Sequence, residues 1–175
     1  MRIFITGGAG FIGTHLYKKL STLHKVTVYD NFSSSNQKDF FTLPNVKLVV
    51  GDILDNNKLS NSMKNHDVVI HLAAKTDVVD SVDNPDDTFQ TNVKGTQNVL
   101  DSCMSNNITK LIVTSSAAVY KSSDGIVSES SDAKPSSPYG QSKLDMEKII
   151  MSFGINYSIL RLFNVYGDGS TRGVI

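Results

Sequence analysis

The chain has 175 residues, which is enough for one domain of ordinary size with a buried core. Its 17 basic residues balance its 17 acidic residues, and no run of like charge is present. We therefore expect neither nucleic acid nor a membrane among its partners, and no stretch is apolar enough to cross a bilayer.

The cysteine and histidine content limits the location and the cofactor class. The single Cys103 cannot form an internal disulfide, so a reducing cytoplasm is the natural interpretation. The first predicted strand begins within a few residues of Met1, so we expect no signal peptide. The four histidines show no metal-ligand spacing, and we expect no metal.

The first predicted element is the apolar run Ile3–Ile5, which has the pattern of a buried strand. Gly7, Gly10 and Gly13 follow at three-residue spacing, and a helical pattern begins among them. Such glycines permit a tight turn, let a pyrophosphate approach the backbone, and let helix and strand pack closely. Free N–H groups at the helix start would then hold the phosphates. An ordinary loop is the alternative, but the position between strand and helix favours dinucleotide binding.

The second predicted strand is Lys25–Tyr29, and it ends at Asp30. A carboxylate there accepts hydrogen bonds from the adenosine ribose hydroxyls and repels a 2′-phosphate, which favours NAD over NADP. The alternative is an aspartate that initiates a turn before Asn31. Asp52 follows the third predicted strand, Val46–Val50, and is placed to reach the adenine; a helix N-cap explains it almost as well.

The rest of the chain continues the alternation of strands and helices. After a short helix, the predicted elements are strand four at Asp67–Leu72, a long helix at about Asp86–Asn106, strand five at Lys110–Thr114, a loop at 121–137, a helix at about Pro138–Phe153 and strand six at Tyr157–Leu162. The long helix has an apolar face of Phe89, Val93, Val99, Leu100 and Met104. We therefore predict one α/β domain over 1–175, a Rossmann fold with a doubly wound parallel sheet in three α/β/α layers.

Candidate catalytic side chains follow the later strands. Tyr139 and Lys143 lie four residues apart on a predicted helix and so share one face. A cation beside a phenol lowers the tyrosine pKa, which makes Tyr139 a usable proton shuttle. Ser116 follows strand five and could hydrogen-bond the same substrate oxygen. A tyrosine–lysine pair of this spacing is usually a solvated helix pair, but its place in a Rossmann pattern favours catalysis.

At this point the chain resembles the extended short-chain dehydrogenase/reductases, specifically the NAD-dependent sugar-nucleotide epimerase/dehydratase family. The matching motifs span nearly the whole chain, in order. They are TGGAGFIG (6–13), DNFSSS (30–35), GDI (51–53), HLAA (71–74), NVKGT (92–96), TSSAAVY (114–120), PYGQSK (138–143) and RLFNVYG (161–167).

The resemblance implies NAD as the cofactor and a role for each matching position. Besides the three glycines, the implied cofactor residues are Phe11 and Ile12 at the pyrophosphate; Asp30, Asn31, Phe32, Ser33, Ser34 and Ser35 at the adenosine ribose; Asp52 and Ile53 at the adenine; Leu72, Ala73, Ala74, Lys75, Thr76 and Thr91 along the cofactor path; Tyr139 and Lys143; and Phe163 near the nicotinamide. The implied catalytic group is Ser116, Tyr139 and Lys143, and the implied substrate contacts are Ser116, Tyr139 and Asn164. From the residues alone, tight packing explains the alanines after strand four equally well.

The resemblance is strongest to UDP-glucose 4-epimerase-like members. It implies transient oxidation of the sugar C4 by hydride transfer to bound NAD, with Tyr139 as acid and base and a UDP-hexose as substrate. Family dehydratases carry an Asp-Glu pair where this chain has Ala117 and Ala118, and decarboxylating members carry a glutamate at the second position. An epimerase therefore fits best, with another dehydratase or reductase as the alternative within the family. Lys121 replaces the glycine that usually follows Val-Tyr.

Length and assembly complete the expectations. Family members are longer, and their C-terminal part builds the sugar-nucleotide lobe, so we expect that lobe to be missing or truncated here. A non-catalytic NAD-binding module, or an inactive truncation, is therefore the alternative function. Because relatives commonly pair two helices of each subunit, we expect a homodimer through helices 86–106 and 138–153.

Overall fold

The computed structural model describes residues 1–37, 40–121 and 125–169. Within these ranges, six strands form one sheet in the order β3-β2-β1-β4-β5-β6, and every neighbouring pair is parallel. The strands are β1 (Arg2–Thr6), β2 (Lys25–Asp30), β3 (Val46–Val50), β4 (Val68–His71), β5 (Lys110–Ser116) and β6 (Asn156–Leu162). The strand order reverses between β1 and β4, which confirms the predicted doubly wound Rossmann sheet.

Helices cover both faces of the sheet. They are α1 (Phe11–Leu20), α2 (Asn56–Met63), α3 (Val78–Asp83), α4 (Pro85–Phe89), α5 (Gly95–Ser105) and α6 (Pro138–Ser152), with a π-helical segment at Gln90–Lys94 and a 3₁₀ turn at Ala117–Val119. Successive side chains of a strand point to opposite faces. Phe4 therefore packs in one apolar layer with Leu100 and Met146, whereas Ile3 and Ile5 pack in the other. Two buried layers around a central sheet give the predicted three-layer arrangement.

The predicted helix over 86–106 is the part of the fold that differs most from expectation. A π-helical segment at Gln90–Lys94 divides it, and α3, which the sequence did not indicate, precedes it. Its buried stripe is polar over Thr88, Asn92 and Thr96 and apolar over Val99 and Leu100, whereas Met104 is 62% exposed. The predicted apolar face is thus confirmed at Val99 and Leu100, which pack in the core, and wrong at Met104.

The bounds of β4 and β5 also differ from the sequence prediction. β4 is shorter than predicted, covering Val68–His71, and β5 continues to Ser116. The longer β5 arises because its backbone pairs with β6 as far as Leu162. Ser116 is therefore the last residue of a strand and does not follow it. In the predicted loop 121–137, the described residues contain neither helix nor strand, and 122–124 lie outside them.

Candidate active site at the carboxyl edge of the sheet

The glycine turn between β1 and α1 is shaped by close backbone contacts. Gly7 has a φ of +68°, and a Cβ built on it would lie 2.5 Å from the Ala73 nitrogen. A Cβ on Gly13 would lie 2.5 Å from the Gly8 Cα atom, so neither position accepts a larger residue. A Cβ on Gly10 would meet only the Gly7 carbonyl oxygen, at 3.4 Å. Packing thus requires two of the glycines, and the space beside Gly10 is where a pyrophosphate can approach.

The start of α1 is suited to an anion. Its N-cap is Gly10, which has no side chain to accept the first N–H groups, and its first turn contains no acidic residue. Phe11 and Ile12 are half-buried in that turn. Unpaired N–H groups and the positive end of the helix dipole favour a phosphate at such a position.

Asp30 joins the end of β2 to the glycine turn. Its carboxylate accepts a hydrogen bond from the Ala9 N–H at 2.9 Å and one from the Phe32 N–H at 2.8 Å. The turn-initiating interpretation of Asp30 is therefore correct. It does not conflict with ribose binding, because a carboxylate has about four lone-pair sites and two are used here. Asn31 similarly accepts from the Ser33 N–H at 3.0 Å, which shapes the predicted ribose loop.

Asp52 lies beside this loop at the end of β3. Its carboxylate accepts from the Leu54 N–H at 2.8 Å and from the Asn31 side-chain amide at 2.9 Å. The N-cap of α2 is Asp55, which accepts from the Lys58 N–H, so the helix-cap interpretation of Asp52 is wrong. Its neighbour Ile53 is 5% exposed and belongs to the apolar core, and its predicted place at the adenine stays a prediction.

The segment after β4 is held by hydrogen bonds to the π-helical segment, which in turn is hydrogen-bonded to α6. The Lys75 N–H donates to the Asn92 side-chain oxygen at 2.8 Å, and the Asn92 amide donates back to the Lys75 carbonyl at 3.0 Å and to the Ser142 hydroxyl at 2.9 Å. The Lys75 ammonium contacts Asp80 and Asp87, and the hydrogen bond to Asp87 is the main cause of its raised pKa. The segment predicted to line the cofactor path thus has a fixed backbone.

His71 forms a buried polar link that the sequence prediction did not assign. Its Nδ1 lies 2.7 Å from the Thr6 hydroxyl and its Nε2 lies 2.9 Å from the Thr96 hydroxyl. Thr96 donates to the Asn92 carbonyl at 2.6 Å, so we assign the imidazole proton to Nε2 and the acceptor role to Nδ1. Burial, with the nearby Lys143 cation, lowers the pKa of His71 to about 3, and the ring is neutral near pH 7.

Tyr139 and Lys143 lie together on the sheet-facing side of α6, both buried. The Lys143 Nζ donates to the Thr114 carbonyl at 3.0 Å, two residues before Ser116. Burial lowers the pKa of Lys143 to about 8, and the charge of Glu147 acts in the opposite direction. The Ser116 hydroxyl oxygen accepts from the Ala118 N–H at 3.1 Å, which leaves its proton available to another acceptor. The predicted catalytic side chains are thus brought to one edge of the sheet.

A cleft of about 350 Å³ opens beside this edge. Its walls come from α3, the 3₁₀ turn, the 121–137 segment and the end of β6, and the lining residues include Val78, Ala117, Ala118, Tyr120, Lys121 and Phe163. Phe163 is 66% exposed, and Asn164 beside it is also exposed. Glu147 and Arg161, behind the cleft, were missed from the sequence, although Glu147 continues the four-residue spacing of Tyr139 and Lys143.

The fold and the glycine turn define a dinucleotide-binding protein of the Rossmann class. More narrowly, the chain belongs to the NAD-dependent epimerase/dehydratase family, whose model matches residues 3–175. This confirms the resemblance carried by the motifs.

Known relatives agree in sequence and in structure. The chain is 35% identical to the UDP-glucose 4-epimerase of Halalkalibacterium halodurans, over 95% of this chain and 52% of that protein. It superposes with a TM-score of 0.85 on the UDP-glucose 4-epimerase of Brucella ovis in complex with NAD, with 36% identity and 93% and 52% coverage of the two chains. For the UDP-N-acetylglucosamine 4-epimerase of Methanobrevibacter ruminantium in complex with UDP-N-acetylmuramic acid, the TM-score is 0.88, with 32% identity and 99% and 59% coverage.

These comparisons confirm NAD as the cofactor of the family. The chain spans about half the length of the relatives it matches. In the part of the chain that the structure describes, no group of His, Cys, Asp and Glu side chains is arranged as a metal site. None of the described helices is both long enough and apolar enough to cross a membrane.

Proposed function

We propose that this chain carries the NAD-binding and catalytic part of a UDP-sugar 4-epimerase. The observation that carries the proposal is the burial of Lys143, held by the Thr114 carbonyl one helical turn from Tyr139. Lysine is rarely fully buried, and buried ionisable groups with shifted pKa values cluster at functional sites. The similarity to proteins named UDP-sugar 4-epimerases supports this choice of reaction.

Each side chain has a role that its surroundings support. Tyr139 takes the proton of the sugar 4-hydroxyl and later returns it, acting as general base and then general acid. The Lys143 cation on the same helix face stabilises the phenolate form. Ser116 donates a hydrogen bond to the same sugar oxygen, because its own oxygen already accepts from Ala118.

The residues at the glycine turn fit an NAD molecule, which supplies the hydride acceptor at the sugar C4 when it is bound. The contacts at Gly7 and Gly13 leave the backbone beside Gly10 as the pyrophosphate site. Asp30 retains lone pairs for the ribose hydroxyls, and its negative charge disfavours a 2′-phosphate.

Ala117 and Ala118 favour epimerisation over dehydration. Both line the cleft directly after Ser116, and neither carries an exchangeable proton. Removal of water from a sugar requires an acid and a base beyond the proton shuttle at C4. We therefore assign the reaction to C4 alone.

The decisive experiment replaces Tyr139 by phenylalanine in the full 175-residue chain and measures interconversion of UDP-glucose and UDP-galactose. We expect a loss of about 10²- to 10⁴-fold, the range for removal of a general acid–base group. NAD content, measured by native mass spectrometry, serves as the control and is expected to be unchanged.

Two outcomes would contradict the proposal. An equally active variant would remove Tyr139 from the reaction. An inactive parent chain that still binds NAD would favour the NAD-binding module instead.

We also propose a homodimer through the helices over 86–106 and 138–153. Half-buried Phe89 and Val93 and exposed Met104 follow one another at near-helical spacing on α4 to α5, and Met151 on α6 is 49% exposed. Apolar side chains in such a row suit contact with a second copy. Sedimentation velocity is expected to show a dimer that Val93→Asp dissociates, and a monomer at high concentration would contradict it. The cytoplasmic location stays a prediction.

A further inference from the structure

A buried ion pair lies behind the proposed active site, between α6 and β6. Glu147 is 1% exposed, and Arg161 donates to its two oxygens through Nε at 3.0 Å and Nη2 at 2.7 Å. The Ser115 hydroxyl also donates to Glu147, at 2.5 Å. A carboxylate at this depth needs such partners because an unpaired buried charge is strongly destabilising. The pair is therefore a fixed part of the interior.

Glu147 is directly connected to the parts that hold the proposed catalytic group. It follows Lys143 by four residues on α6, so the two side chains share the sheet-facing stripe of the helix. On β5, three consecutive residues are engaged. Thr114 accepts from Lys143, Ser115 donates to Glu147, and Ser116 is the proposed substrate contact. A displacement of Glu147 would thus affect both α6 and β5, the two elements that carry the proposed catalytic group.

Arg161 extends the same network to the wall of the cleft. Its Nη1 donates to the Glu129 carbonyl at 3.3 Å, and its guanidinium carbon lies 4.8 Å from the centre of the Tyr120 ring. Tyr120 lines the cleft. A planar guanidinium makes these contacts together because its donors form a rigid fork and its face stacks on an aromatic ring.

We propose that Glu147 and Arg161 are positioning residues for the proposed active site, with Glu147 fixing the end of β5 through Ser115 and placing its negative charge one helical turn from Lys143, and with Arg161 holding the Tyr120 wall of the cleft. This inference rests on the proposed function. Glu147 and Arg161 thus have different roles although they form one ion pair, and each role can be tested by its own substitution.

The negative charge of Glu147 acts on the pKa of Lys143. Tyr139 and Glu147 are the ionisable groups one helical turn before and after Lys143 on α6, and His71 on β4 is close enough for the Lys143 cation to lower its pKa. On the elements that pack against α6, the charged groups include Asp80 and Asp87, both of which bind Lys75, and also Lys94, Asp101 and Arg161, whereas His71 is neutral. Glu147 is thus the group that opposes the effect of burial on the pKa of Lys143, and loss of its charge lowers that pKa further.

The first test follows the titration of Lys143 by NMR in the full chain labelled with ¹³C-lysine, with the signal assigned by its loss in Lys143→Met. We expect a midpoint of about 8 in the parent chain. Glu147→Gln is expected to lower it by about one pH unit, a size typical of an adjacent charge. Glu147→Asp, which keeps the charge, is expected to restore most of the shift.

A folded Glu147→Gln chain with an unchanged midpoint would overturn the role of Glu147. Because the readout does not depend on turnover, it is separate from a failure of the proposed epimerase activity. If this variant does not fold, Glu147→Gln combined with Arg161→Met removes both charges and leaves neither unpaired. The Lys143 midpoint is expected to be lower in that double variant than in Arg161→Met alone, because these two chains differ only in the charge of residue 147, and equal midpoints would overturn the role.

The second test uses Arg161→Lys, which keeps a positive charge beside Glu147 but loses the fork and the stacking on Tyr120. We expect the Lys143 midpoint to stay within about 0.3 pH units of the parent, while UDP-glucose binds about tenfold more weakly by calorimetry. In an active chain, KM should rise far more than kcat falls. Unchanged UDP-glucose binding would overturn the role of Arg161, and a shifted midpoint would show that the two halves are not separable.

Discussion

The two ends of the candidate site are held in place by different kinds of contact. Around the glycine turn, between β1 and β2, the contacts are backbone contacts, such as those of Gly7 and Gly13, or hydrogen bonds from backbone N–H groups to Asp30. Around β5 and α6, the contacts are made by buried ionisable side chains, since Lys143 donates to the Thr114 carbonyl and Glu147 pairs with Arg161. We therefore expect the glycine turn to respond mainly to added side-chain volume and the β5–α6 end to respond mainly to changes of charge. Substitutions at the first end and changes of pH at the second test this difference.

The largest expected effect is at the glycine turn. Gly13→Ala places a Cβ 2.5 Å from the Gly8 Cα atom, which only a backbone shift can relieve. We expect a loss of about 3 kcal/mol in the free energy of unfolding, as for an overpacked interior site. NAD affinity should fall more than about 100-fold as the turn opens. Urea unfolding and calorimetry with NAD measure both.

Gly10→Ala is the matched control for that substitution. Its φ is −72°, and its Cβ would lie 3.4 Å from the nearest atom, so the free energy of unfolding should change by less than about 1 kcal/mol. NAD affinity should still fall, because the new methyl group lies where the pyrophosphate approaches. Full NAD affinity in Gly10→Ala would show that the phosphate lies elsewhere.

The next effect is a pH dependence at the charged end. The pKa of His71 is about 3 in the folded chain and about 6.5 when unfolded, so between these values the unfolded chain binds more protons. Stability therefore falls as the pH is lowered through that window. From pH 7 to pH 5, we expect a loss of about 2 kcal/mol from this group. The depressed pKa of Lys143 adds no slope there, since this group is protonated in both states.

Urea unfolding at the two pH values measures this loss, and His71→Gln is expected to remove most of it. His66, whose pKa is also lowered chiefly by burial, acts in the same direction. His66→Gln is therefore the comparison variant and is expected to remove a smaller part. An equal slope in the parent chain and in His71→Gln would contradict the neutral, buried imidazole.

The smallest expected effect concerns cofactor choice. Asp30→Ser removes the carboxylate that would repel a 2′-phosphate, and we expect the NAD-to-NADP affinity ratio to fall by about tenfold. The serine also loses the hydrogen bonds to Ala9 and Phe32, so both affinities should drop somewhat. Asp30→Asn keeps the size and removes only the charge. An unchanged ratio in both variants would remove Asp30 from this role.

The elements that the sequence predicted well are those whose pattern is local. The buried strands, the glycine turn and the pairing of Tyr139 with Lys143 on one helix face depend on spacings of two to four residues. The division of the 86–106 helix was missed because the buried side chains on either side of the π-helical segment are polar. Thr88, Asn92 and Thr96 are buried through hydrogen bonds that a hydrophobic pattern does not reveal.

The sequence by itself thus determined the Rossmann class, the family and the positions of the proposed catalytic group, because short periodic patterns and motifs carry that information. Only the tertiary structure decided the environment of those groups. The neutral state of His71 depends on its burial and on the Lys143 cation, 72 residues away, and the pairing of Glu147 depends on Arg161, 14 residues away on another element. Burial and the charge of a neighbour set a pKa, and both arise only when separate elements pack together.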